Sequence, residues 1–124
     1  MVTGGPRQIV LVVDDEPAIR LLCKVNLEFG GYEVREAGSL DEARRKVAEG
    51  VDVVLLDLHV GNESGESLLS ELVELEIPVA LVTGSVELEA IGETHATAVL
   101  GKPFSIEDLE ATVSRLAALR TAQL

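Results

Sequence analysis

The side chains in this sequence best suited to chemistry on phosphoryl groups are the adjacent carboxylates Asp14 and Asp15, a third carboxylate at Asp57, the hydroxyl of Thr83 and the amine of Lys102. Each follows an apolar, strand-like run, so one end of a single sheet could gather all of them. Gathered, the carboxylates repel: at ~4 Å and an effective dielectric of about 20, each pair costs roughly 4 kcal/mol before solvent relaxes. Such a cluster calls for a cation or for raised pKa values, and hard oxygen donors select Mg²⁺, or Mn²⁺, over soft metals. Mg²⁺ keeps several waters and leaves room for a phosphate oxygen. Lys102 and Thr83 would add a fixed positive charge and a hydrogen-bond donor for the equatorial oxygens in phosphoryl transfer. The carboxylate placed to attack is Asp57, whose direction a stiff apolar run would fix; its product would be an acyl phosphate.

The elements that must position these groups alternate along the chain. Gln8 to Val13 reads as a strand buried on both faces, and Pro17 suits the first turn of the helix that follows. That helix is expected to turn Ala18, Leu22, Val25 and Phe29 to the core and to stop at Gly30-Gly31. A shorter, more polar strand over Tyr32 to Ala37 suits a sheet edge. Ser39-Leu40-Asp41-Glu42 reads as a capping box opening a helix that closes at Gly50. Val51 to Leu58 is a second buried strand, followed by a polar loop over 61–65 and a helix to Leu75. Further strands are expected over 78–82 and 96–100, separated by a weaker helical segment at 85–95. Ser105 caps a last helix that presents Ile106, Leu109, Val113 and Leu116 to the core. Strands alternating with helices predict an α/β fold of the doubly wound, flavodoxin-like kind. Its five parallel strands take the order 2-1-3-4-5, with helices on both faces and the site at the carboxyl ends of the strands.

Composition bounds the function. The chain has 124 residues, 47% apolar and 26% charged, which suits one globular domain. Its expected limits are a flexible segment over 1–7, the domain over 8–119 and a tail over 120–124. Ten Lys and Arg against 22 Asp and Glu leave a net charge of −12, which argues against nucleic acid as a direct partner. The longest apolar run, Ile9–Val13, is far too short to cross a bilayer, so no membrane role is expected. The single cysteine, Cys23, reads as a small packed apolar residue and fits a reducing compartment, the cytoplasm.

With these residues in order, the chain resembles a response-regulator receiver domain of two-component signalling, from about Gln8 to Ala118. The likeness rests on Val12-Val13-Asp14-Asp15-Glu16-Pro17, Leu55-Leu56-Asp57-Leu58, Gly65, Leu81-Val82-Thr83-Gly84 and Lys102-Pro103-Phe104. It implies that Asp57 accepts a phosphoryl group from a histidine kinase or a histidine phosphotransfer protein. It further implies that Asp15 and Asp57 ligate Mg²⁺ with the main-chain carbonyl of His59, Asp14 acting mostly through water. Lys102 would pair with Asp57 and then with the phosphoryl group, Thr83 would move to report it, and the bond before Pro103 would be cis. Such a domain is a regulatory phosphoacceptor rather than an enzyme, although it would assist its own phosphorylation and dephosphorylation. A weak homodimer through the 85–119 face is also expected.

The sequence departs from the family pattern in places. After Asp57 it reads Leu58-His59-Val60-Gly61 where Asp-x-x-Met-Pro is common, and Val99 stands where an aromatic residue is usual. Switching would then run through Thr83, Gly84 and the 85–95 segment. These departures also suit a degenerate receiver acting as a phosphorylation-independent interaction module. A small aspartate-nucleophile phosphatase is a third reading, but its Asp-x-Asp spacing is replaced here by the adjacent Asp14-Asp15. A ribose-binding or capping role for Asp57 lacks the glycine-rich nucleotide motifs that accompany it. The ring of His59 reads as a solvated loop side chain, and His95 as a surface residue.

Overall fold

A computed structural model describes residues 7–84 and 98–123. In chain order it contains β1 (Ile9–Val13), α1 (Pro17–Phe29), β2 (Glu33–Ala37), α2 (Leu40–Ala48), β3 (Val53–Asp57), β4 (His59–Val60), β5 (Glu63–Ser64), α3 (Glu66–Glu74), β6 (Val79–Thr83), β7 (Ala98–Gly101) and α4 (Ile106–Gln123). The main sheet runs β2-β1-β3-β6-β7 and every pair in it is parallel. Counted over the sheet strands alone, this is the expected 2-1-3-4-5 order. The helical segment expected at 85–95, with His95, lies outside the described residues, as do residues 1–6.

Side chains alternate across the sheet and build a core on each face. Leu11, Val13, Val54 and Leu56 pack with Leu40 and Ala43 of α2 and Leu68 and Leu72 of α3. Val10, Val12, Val53 and Leu55 pack with Cys23 and Leu27 of α1 and Leu109, Val113 and Leu116 of α4. Strands β3 and β6 are buried along their whole length because helices cover both faces. The register sets Val13 beside Leu56, Asp57 beside Val82, and Thr83 beside Gly101, so the carboxyl ends finish nearly level. The edge position of β2 agrees with its polar sequence.

Capping follows the sequence. The Ser39 hydroxyl accepts from Glu42 N–H at 3.2 Å, and the Glu42 carboxylate accepts from Gly38 N–H at 2.7 Å, one residue ahead of the cap. Ser105 accepts from Asp108 N–H at 3.0 Å. α4 continues to Gln123, so the boundary expected at 119 falls inside a helix.

The structure corrects the expected inner face of α1. Cys23 and Leu27 are buried with Ile19 beside them, whereas Leu22 and Val25 lie partly in solvent and Phe29 is 93% exposed. The helix carries apolar residues on two stripes, and only the stripe at 19, 23 and 27 meets β1, β3 and α4. The loop expected over 61–65 also carries more order than a loop needs. His59–Val60 and Glu63–Ser64 pair antiparallel as a short hairpin, turning at Gly61 with φ +63°.

Candidate functional site

The expected site residues come from four strand ends. Asp14 and Asp15 follow β1, Asp57 ends β3, Thr83 ends β6 and Lys102 follows β7. Carboxylate oxygens of Asp14, Asp15 and Asp57 lie within 4.8 Å of one another. Asp14 and Asp57 are buried and Asp15 is exposed, so the cluster opens to solvent on the Asp15 side. Lys102 Nζ reaches Asp14 at 3.3 Å and Asp57 at 3.5 Å and bridges the two buried carboxylates. Lys102 N–H donates to the Thr83 main-chain oxygen at 2.7 Å, which ties the amine's backbone to the end of β6. The Lys102–Pro103 peptide bond is cis.

Local geometry orients each acid. Asp14 Oδ1 accepts from Glu16 N–H at 2.9 Å in an Asx turn, and Asp14 N–H donates to Ala37 O at 3.1 Å. Asp57 Oδ1 accepts from His59 N–H at 3.2 Å. His59, the first residue of β4, is exposed while Val60 beside it is buried, and Thr83 is 1% exposed.

Electrostatics favour a cation here. Burial, and then the charge of Asp14, raise the pKa of Asp57, with Lys102 and His59 N–H only partly offsetting them. Burial alone would lower the pKa of Lys102, but Asp57 and Asp14 together carry it upward, and the amine stays charged. Three oxygen donors in one small space, one of them costly to ionise, fit a hard divalent ion with waters completing its shell. The Cys23 thiol is pushed up to about 11 by burial and then by Asp14, so it is an inert part of the core rather than a nucleophile.

One contributor, Arg20, escaped the sequence reading, and another, Gly65, entered it only as a piece of the family resemblance, with no role assigned. Arg20 donates to Asp14 O at 2.6 Å and to Glu36 at 3.3 Å. A cation in the opening turns of a helix opposes the helix dipole, and that misplacement is the signal that could have marked it. Gly65 caps α3 directly beneath Asp57, and its N–H donates to Leu58 O at 2.6 Å.

Comparison with known proteins agrees with this geometry. Residues 10–114 match the model of the response regulator receiver domain. The chain is 33% identical to the phosphate regulon transcriptional regulatory protein PhoB of Pseudomonas aeruginosa, over 89% of this chain and 50% of that protein. It is 32% identical to the DNA-binding dual master transcriptional regulator RpaA of Synechocystis sp., over 86% of this chain and 48% of that protein. The chain thus spans half or less of the length of these curated relatives. The high-resolution structure of the chemotaxis response regulator CheY4 of Vibrio cholerae superposes with a TM-score of 0.81 at 28% identity, covering 90% of this chain and 99% of that one. No helix among the described residues is long and apolar enough to cross a membrane. With a parallel sheet in this order, an acidic cluster at its carboxyl edge and a family match over most of its length, the chain belongs to the response regulator receiver domains of two-component signalling.

Proposed function

We propose that Asp57 is the phosphoacceptor and that Asp14, Asp15, Asp57 and the His59 carbonyl hold Mg²⁺, or Mn²⁺ in its place. The supporting observation is the bridge from Lys102 to both buried carboxylates beside the exposed Asp15. An oxygen of Asp57 forms the new bond to phosphorus as the nitrogen–phosphorus bond of a phosphohistidine breaks, and its electron pair returns to the imidazole. A bound divalent ion neutralises phosphoryl oxygens and lets an anionic donor approach three acids. Lys102 leaves Asp57 for a phosphoryl oxygen while keeping Asp14, and the Thr83 hydroxyl donates from the end of β6. Small-molecule labelling tests this reading. Acetyl phosphate with Mg²⁺ should add one phosphoryl group by mass, and chelation should prevent it. An unlabelled wild-type protein would favour the phosphorylation-independent interaction module, which Val99 and the hairpin after Asp57 also suit.

Lys102→Ala should fold, because neither core includes Lys102. It should still accept phosphate slowly but lose the conformational response. Amide shifts of Thr83 and Gly84 on phosphorylation, large in the wild type, should shrink several-fold. A normal response would remove Lys102 from the mechanism.

The phosphohistidine protein must cover the mouth of the site. A groove of about 370 Å³, lined by Ile19, Leu22, Lys102, Pro103 and Phe104, opens there, and Leu21, Val25 and Phe29 on the same helix are exposed apolar residues. Leu22→Glu should slow transfer at least tenfold from any phosphohistidine protein that labels the wild type, yet leave labelling by acetyl phosphate within twofold. Equal loss with both donors would place the defect in the site rather than in docking. The self-association face expected over 85–119 includes 85–97, which lie outside the described residues. The cytoplasmic location, and the direct partner being a protein rather than nucleic acid, belong to this same proposal.

A further inference from the structure

Arg20 is the fourth residue of α1, in an opening stretch that carries no acidic residue to balance a cation against the helix dipole. Its side chain is 19% exposed and turns back over the carboxyl ends of β1 and β2. Nη1 donates to the main-chain oxygen of Asp14 at 2.6 Å, while Nε pairs with Glu36 at 3.3 Å. Glu36 is also 3.8 Å from Lys24, so the carboxylate that receives Arg20 is itself held from α1. The guanidinium passes over Gly38, where a Cβ would stand 3.1 Å from Nη1. The carbonyl that Arg20 holds belongs to the peptide joining Asp14 to Asp15. Rotation of that peptide plane would swing the exposed Asp15, which packing does not hold.

We propose that Arg20 is a positioning residue for the divalent-cation site, fixing the Asp14–Asp15 peptide plane and so the directions of two carboxylates. It touches neither the ion nor the phosphoryl group. Loss of partners that orient metal ligands typically weakens metal binding ~10–100-fold. The sign separates this role from simple electrostatics: removing a positive charge beside three acids would tighten a cation, whereas releasing the peptide plane weakens it. This inference rests on the cation-site reading above.

The test is Mg²⁺ calorimetry on the wild type, Arg20→Met, which keeps the aliphatic stem, and Gly38→Ala, which displaces the guanidinium while leaving every charge in place. Arg20→Met should weaken Mg²⁺ about tenfold and Gly38→Ala a few-fold. Together they should cost no more than Arg20→Met alone, because both act through one contact. Labelling by acetyl phosphate in Arg20→Met should fall at low Mg²⁺ and recover at saturating Mg²⁺. A metal-free reading stands beside these: the Glu16 amide, which donates to Asp14 Oδ1, should exchange with solvent several-fold faster in Arg20→Met. Unchanged or tighter Mg²⁺ in Arg20→Met, with the wild type binding normally, overturns the inference. A wild type that binds no Mg²⁺ overturns the cation-site reading instead. Weaker Mg²⁺ with unchanged Glu16 exchange overturns the Arg20 inference as well, because the plane would then be held without Arg20.

Discussion

Asp57→Asn should abolish phosphorylation and, in metal-free protein at neutral pH, raise the melting temperature. The folded state ionises Asp57 only against burial and the charge of Asp14, and Lys102 at 3.5 Å does not fully compensate. Asparagine fills the same volume, still accepts the His59 N–H through its oxygen, and leaves Lys102 paired with Asp14 at 3.3 Å. Removing one of two apposed buried charges should stabilise by about 1–2 kcal/mol, roughly 3–8 °C for a domain of this size. Because the pKa of Asp57 is raised in the folded state, the penalty of its charge is fully present above that pKa. It fades as the pH falls through it, and the two proteins should converge in melting temperature on acidification. Added Mg²⁺ should narrow or reverse the ranking, since saturation to ~100 Kd stabilises the binding-competent wild type by about 2.7 kcal/mol. Thermal unfolding with chelator, with Mg²⁺ and across pH checks all three. A metal-free variant less stable than the wild type would mean that the ion pair with Lys102 outweighs the burial of Asp57.

Strand order and the strand-end residues were legible because β1, β3 and β6 are nearly uninterrupted apolar runs, each closed by a polar residue, Asp14, Asp57 and Thr83 in turn. A sheet covered on both faces leaves few other ways to write a strand. The inner face of α1 was not legible for the opposite reason. Leu21, Leu22, Val25 and Phe29 are as apolar as Ile19, Cys23 and Leu27, and periodicity alone cannot say which stripe meets the sheet. Of the outer stripe, Leu22 lines the groove beside Lys102, together with Ile19 of the inner one. The hairpin after Asp57 was missed because its strands are two residues each, too short for alternation to register. Arg20 was missed because its contacts are to a main-chain carbonyl and to a residue sixteen positions away, and only its place near the start of α1 marked it locally.

Gly65 is the position where helix packing and site geometry depend on the absence of a single methyl group, and Gly65→Ala should be among the most disruptive single changes in the protein. Its φ of −74° is one that alanine adopts freely, so the obstacle is close approach rather than backbone strain. A Cβ would stand 2.8 Å from Asp57 O and 3.3 Å from Leu58 O, both main-chain atoms that no rotamer change can move aside. Strand β3 is hydrogen-bonded on both sides, to β1 and β6, and is buried throughout, so it resists displacement. The start of α3 must yield instead, and with it Leu68 and Leu69 in the core and the 2.6 Å bond from Gly65 N–H to Leu58 O. Overpacking against a backbone that cannot relax costs about 2–4 kcal/mol, a fall in melting temperature on the order of 10 °C. The same shift loosens Leu58-His59, whose N–H orients Asp57, so Mg²⁺ affinity should fall a few-fold as well. Gly65→Ser, which adds the same Cβ, should reproduce both effects despite serine's aptitude as a helix cap. An alanine variant melting within a degree or two of the wild type would show that α3 can retreat at no cost, and that the close approach beneath Asp57 is not what aims its carboxylate.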